Sequence, residues 1–133
     1  MSARTITTEM PIIITTDDLS DIGYAADTAY LKWVQAVVIK HWECFAPAEA
    51  LASTLWIAVR HKVRYRTAGV AADRIVAKTS IKRLKGVRAI FTTIFYRDSE
   101  VLAEVESTWV CIDRTTKQPK ALDSEVLSNF HIG

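Results

Sequence analysis

The sequence predicts an α+β domain in which an antiparallel sheet folds around one long helix. Three observations carry that reading. Tyr30, Leu31, Val34, Val37, Val38, His41, Trp42 and Phe45 recur at spacings of three and four, which lines one face of a helix. After Leu55 the period switches to two and stays there through four successive runs separated by short turn-like segments. The composition is ordinary, with 133 residues, 50% hydrophobic, 24% charged, four Gly and three Pro, which excludes collagen-like, low-complexity and disordered classes. A chain of this length is expected to form a single domain, residues 1–133, hiding about two-thirds of its unfolded surface.

Each element follows from local chemistry. Met10 to Thr16 is short, apolar and β-branched, so it reads as a first strand, with Pro11 suited to its start. A polar loop, Asp17 to Ala26, leads to Asp27 as the expected helix cap. The helix carries few polar residues and is expected to be more than half covered, and Pro47 stops it. From Leu55 the residues Leu55, Ile57, Val59, His61, Val63 and Tyr65 alternate with Trp56, Ala58, Arg60, Lys62, Arg64 and Arg66. Three more strands are expected over Arg74–Leu84, Val87–Tyr96 and Glu100–Ile112, and the short turns predict a meander of antiparallel neighbours. After Asp113 the chain turns polar and is expected to fray.

The net charge of +2 hides a polarised distribution. Residues 1–59 carry −4, residues 60–88 carry +9 with Asp73 as their sole carboxylate, and residues 89–133 carry −3. Such a segment fits either a phosphate-bearing partner or a solvated strand face. A nucleic-acid module is not favoured, because no aromatic residues alternate with the basic row and no recognition motif is present. Cys44 and Cys111 form no CxxC or Cys/His cluster, so both read as buried thiols, and no metal or cofactor is called for. The N-terminal stretch lacks the apolar core of a signal peptide and no apolar run is long enough to span a bilayer; a soluble, cytoplasmic protein with no membrane partner is expected.

The stretch from Asp18 to Trp33 resembles the loop motif of hotdog-fold thioesterases of the 4-hydroxybenzoyl-CoA thioesterase-like branch, roughly D-x-D-x-x-G-(H/V)-V-N-(N/H)-A-x-Y-L-x-W. Asp18, Gly23, Tyr30, Leu31 and Trp33 match. Tyr65 to Asp73 is similar to the family's Y-x-x-P-(A)-x-x-G-D, and the order of elements agrees from Met10 to about Asp113. The resemblance implies a hotdog fold and an acyl-CoA thioesterase. It also implies an acyl-CoA substrate or an acyl carrier protein as partner, and a homodimer or homotetramer with sites between subunits.

The family's catalytic carboxylate falls ten residues before the motif tyrosine, where this chain has Ser20. A serine hydroxyl neither accepts a proton at neutral pH nor attacks without a neighbouring base. Asp21 is therefore the first candidate for nucleophile or general base, and Asp27, at the family's Asn or His position, is the second. The resemblance places oxyanion-binding amides at the start of the helix, around Gly23, Tyr24, Ala26, Asp27 and Thr28, where the helix dipole favours developing negative charge. It places the acyl group near Tyr30 and Trp33, and the coenzyme A phosphates near Lys82, Arg83, Lys85 and Arg88. Arg60, Lys62, Arg64 and Arg66 read as a solvated or subunit-facing row. His41, His61 and His131 lack partners at catalytic spacing and read as core or surface residues. Ser20 leaves open a second reading, a hotdog protein that binds a thioester without cleaving it.

Overall fold

In the computed structural model, which describes residues 6–130, a single helix lies across one face of a five-stranded antiparallel sheet. The strands are β1 (Thr8–Ile13), β2 (Thr54–Tyr65), β3 (Arg74–Lys85), β4 (Arg88–Arg97) and β5 (Glu100–Asp113). The helices are α1 (Asp27–Phe45), α2 (Ala48–Ser53) and α3 (Ser124–Ser128). No helix among the described residues is long and apolar enough to cross a membrane.

The sheet order is β1-β3-β4-β5-β2. Only β3, β4 and β5 form a meander; β2 crosses the sheet end and pairs with β5 instead of β3, which corrects the expected four-strand meander. The connection after β2 makes the crossing possible. Arg66 and Thr67 amides donate to Leu102 O, the Ala25 amide donates to Gly69 O, and the Ala72 amide donates to Ile14 O. The loop thus runs from β5 to β1 beneath the start of α1, and its polar backbone is satisfied on the way.

The core lies between α1 and the inward sheet face. Ala29, Tyr30, Trp33, Val34, Val37 and Val38 of α1 pack on Ile75, Ala77, Ala89, Phe91, Phe95, Ala103 and Val105. The fully buried alanines on β3, β4 and β5 let the helix sit close, and Thr79 and Thr93, opposite each other beneath it, satisfy their hydroxyls mutually at 2.9 Å. Trp33 is part of this core, 6% exposed and tilted against Phe95.

One strand departs from strict alternation. β2 is irregular between Ala58 and Arg60, so Trp56 and Ala58 before the bulge and Val63 after it all pack on the core. Ile57 and Val59, members of the more apolar set of that alternation, are 47% and 49% exposed. The tail does not fray. Asp113 Oδ1 accepts the Thr115 and Thr116 amides at 2.8 Å. Beyond that turn α3 docks Val126 and Phe130 onto Trp42, with Phe130 stacked on the indole at 5.5 Å. His41 is buried among Phe45, Phe91 and Phe130, with its Nδ1 2.7 Å from the Thr8 hydroxyl. Cys111 is buried, as expected, whereas Cys44 is exposed because it falls on the solvent side of α1. His131 lies outside the described residues.

Candidate active site

The loop before α1 is shaped by two devices. Asp18 is the first. Burial would raise its carboxyl, but the Thr15 amide at 2.9 Å, the Thr15 hydroxyl at 3.1 Å and the Lys32 ammonium at 3.4 Å overcome that and hold it below the usual carboxylate range. The motif's first aspartate therefore fastens the loop to α1 rather than facing a substrate. The second device is a turn. The Gly23 amide donates to Ser20 O, the Ser20 amide donates to Tyr24 O, and Gly23 sits at φ +84°, a conformation that side-chain-bearing residues seldom adopt.

These devices aim the chain into α1 at Ala26. Ala26 has extended backbone angles and is the N-cap, so Asp27 is the first helical residue and not the cap the sequence suggested. No side chain caps this end. The Ala26 amide donates to Asp18 O. The Asp27 and Thr28 amides have no acceptor among the described residues, so the helix presents two free donors.

They open into a cleft of about 560 Å³ between the loop, the start of α1 and the end of β2. Ser20, Tyr24, Asp27, Thr28, Tyr30 and Tyr65 line it, together with Arg66 and the small residues Ala25, Ala68 and Gly69. The Tyr65 hydroxyl donates to Asp27 Oδ1 at 2.6 Å. Burial and then the hydrogen bond and charge of Asp27 push the Tyr65 phenol upward, so it remains a donor at neutral pH. Beyond the cleft, Asp73 Oδ2 accepts from the Val70 amide at 2.9 Å and from Arg97 at 2.7 Å, which pins the loop that forms the cleft floor.

Several sequence-predicted residues thus converge: Ser20, Tyr24, Asp27, Thr28 and Tyr30 share one cleft. Others do not. Asp21 is exposed at the turn and outside the cleft lining. The Gly23 and Ala26 amides are spent within the loop, so neither is a free donor. Trp33 is packed in the core. Lys82 lies on the solvent face of the sheet, bonded to Glu106 at 2.8 Å. Lys85 and Arg88 pair across the β3–β4 hairpin, toward the sheet end opposite Tyr65; Tyr65 is level with Phe95 through Ala103, so the strand from Arg88 to Phe95 separates them by roughly 23 Å. Tyr65 was the residue missed. Its signal was the partial match of Tyr65 to Asp73 to the family's second motif, which supports the resemblance without marking a site residue.

No family model matches the sequence, and no curated protein matches it. Solved structures do. A probable thioesterase, YbaW from Escherichia coli, superposes with TM-score 0.79 at 19% identity, covering 93% of this chain and 98% of that one. Slr0204, a 1,4-dihydroxy-2-naphthoyl-CoA thioesterase from Synechocystis, gives 0.77 at 12%, covering 93% and 95%. SAV2348 from Staphylococcus aureus, solved in complex with CoA, gives 0.81 at 13%, covering 97% and 83%. At such identities the likeness is one of architecture, and on it the chain is a hotdog-fold protein.

Proposed function

We propose that this protein is a thioester hydrolase acting on acyl-CoA, with Asp27 as general base and the Asp27 and Thr28 amides as the oxyanion site. The observation that carries the reading is the coincidence, in one cleft, of an uncapped helix N-terminus and a carboxylate fixed by Tyr65. The likeness to a probable thioesterase and to a 1,4-dihydroxy-2-naphthoyl-CoA thioesterase supports it.

The chemistry follows from those groups. Asp27 Oδ2, the oxygen not engaged by Tyr65, accepts a proton from water as the water oxygen attacks the thioester carbon. The carbonyl oxygen becomes an oxyanion held by the two amides, where the helix terminus favours negative charge. As the carbon–sulfur bond breaks, the proton on Asp27 passes to the departing sulfur, giving a free acid and coenzyme A. Tyr65 keeps the carboxylate oriented. Ser20 lines the cleft beside this machinery and needs no role as nucleophile.

The cleft also argues for a second copy of the chain. Tyr65 belongs to β2, an edge strand, and Ile57 and Val59 on that strand are left in water. Pairing two β2 edges antiparallel closes both edges and carries the β3–β4 hairpin of the second copy to the end of the sheet where the cleft lies. Lys85 and Arg88 then hold the coenzyme A phosphates across the interface. The test is thiol release from a panel of short, long and aromatic acyl-CoA substrates, with sedimentation at micromolar concentration. Turnover by a dimer or tetramer supports the reading; binding without release by an intact oligomer makes the protein a thioester binder, and a monomer removes the shared site.

A further inference from the structure

The floor of the cleft holds a group for which the reaction above has no use. Tyr30 is only 1% exposed as a residue, yet it lines the cleft; among the described residues its hydroxyl bonds to no protein group and is not a fully buried atom, so its remaining access is to the cleft. Its ring is fixed on several sides: Trp33, Phe95 and Tyr65 meet it edge-on at 5.2, 5.1 and 5.5 Å. The phenol therefore cannot swing away to find a partner in the core. The free space beside it is made by glycine. A Cβ at Gly69 would stand 3.5 Å from the Tyr30 hydroxyl and 2.7 Å from Ile14 Cδ1, and Ala25 and Ala68 keep the adjoining walls low.

A hydroxyl at the wall of a cleft is satisfied by water, and displacing that water without replacing its hydrogen bond costs free energy. A plain hydrocarbon chain entering this cleft displaces that water and returns nothing. An acyl group with an oxygen at the right depth restores the hydrogen bond in a site whose geometry is already set. Burial raises the phenol, so it keeps its proton and can donate to an acceptor placed beside it.

We infer that the cleft selects acyl thioesters whose acyl group carries a hydrogen-bond acceptor, a keto or hydroxyl oxygen, which accepts from the Tyr30 hydroxyl. This rests on the thioesterase reading of the same cleft and adds the substrate class.

The test is a ladder of matched acyl-CoA pairs with the oxygen at increasing depth: 3-oxobutyryl against butyryl, 5-oxohexanoyl against hexanoyl, and 7-oxooctanoyl against octanoyl. Wild type should favour at least one oxo member by tenfold or more in kcat/KM. Tyr30→Phe, which keeps the ring and deletes one oxygen, should bring that ratio to about one, with circular dichroism confirming that it folds. Gly69→Ala, which displaces the end of Ile14 and fills the space 3.5 Å from the hydroxyl, should also reduce the ratio and serves if Tyr30→Phe does not fold. A ratio near one for every pair in wild type, or a preference that survives Tyr30→Phe, overturns the inference while leaving the hydrolase reading in place. If no pair is hydrolysed, the hydrolase reading falls, and the same ladder measured by equilibrium titration decides the inference on binding ratios alone.

Discussion

The sharpest test of the proposed mechanism sets two aspartates six residues apart against each other. Asp27→Asn keeps the backbone, and therefore the two amides at the start of α1, and it keeps a side-chain oxygen that can accept from Tyr65, 2.6 Å away in the wild type. What it removes is the ability to take a proton from water. The loss of a positioned base is worth on the order of 10²–10⁴ in kcat, or about 3–5 kcal/mol of barrier. KM should stay within about threefold, because the lost interaction belongs to the transition state. Stability should change little, since a charge at a helix N-terminus contributes about 0.3–1 kcal/mol, which is a few degrees in Tm for a chain of this size. Asp21 stands exposed at the turn and outside the cleft lining, so Asp21→Asn should leave kcat within about twofold. The assay is steady-state thiol release by both variants on the best wild-type substrate. A hundredfold loss in Asp21→Asn beside a near-normal Asp27→Asn would refute the assignment and restore the preference that the sequence spacing alone suggested.

Further expectations follow from other parts of the molecule. Burial depresses His41 to about 4, against an ordinary 6.5; its neutral form is favoured by folding, so its contribution is fully present above about pH 6.5 and is lost as pH falls toward 4, about 3 kcal/mol across the window. Thermal melts from pH 7 to 4 should show that decline, flattened in His41→Gln; equal slopes would exclude His41 as the cause. Phe130→Ala removes a side chain 3% exposed and stacked on Trp42, and should cost about 3–5 kcal/mol in chemical denaturation; a cost below about 1 kcal/mol would show that α3 is not docked in solution. Replacing Lys85 and Arg88 together with Ala should raise KM for acyl-CoA and weaken its salt dependence with little change in kcat, and an unchanged KM would leave the hairpin a solvated surface.

Much of the fold is legible in the sequence because its strongest signals are periodic. The helix boundaries, Asp27 to Phe45, follow from apolar spacing and Pro47, and β3, β4 and β5 fall within two residues of the runs expected from alternation. The misreadings have physical causes. A bulge between Ala58 and Arg60 resets the phase of β2, and period-two reading assumes the phase is kept. The crossing of β2 to the far side of β5 depends on backbone hydrogen bonds of the 66–73 loop to Leu102 and Ile14, which leave no compositional trace. α3 is held by a stacked pair of aromatics far apart in sequence, so a polar tail with a single Phe near its end read as unstructured. In the site, residue spacing located the loop and the helix start but could not say which amides are consumed in turns, and that distinction separates Gly23 and Ala26 from Asp27 and Thr28.

The substitution at Ser20 and the pairing at Asp27 belong together. A carboxylate at position 20 would line the same cleft as Asp27, and two ionised carboxylates near each other repel. With serine there, one carboxylate remains in the cleft lining, and it sits on the first turn of α1. Tyr65 adds a neutral donor that orients this carboxylate through one oxygen and leaves the other free. Ser20→Asp is therefore not a simple repair. It places a second carboxylate in the lining beside the first, so any change of activity in Ser20→Asp reports on the two groups together.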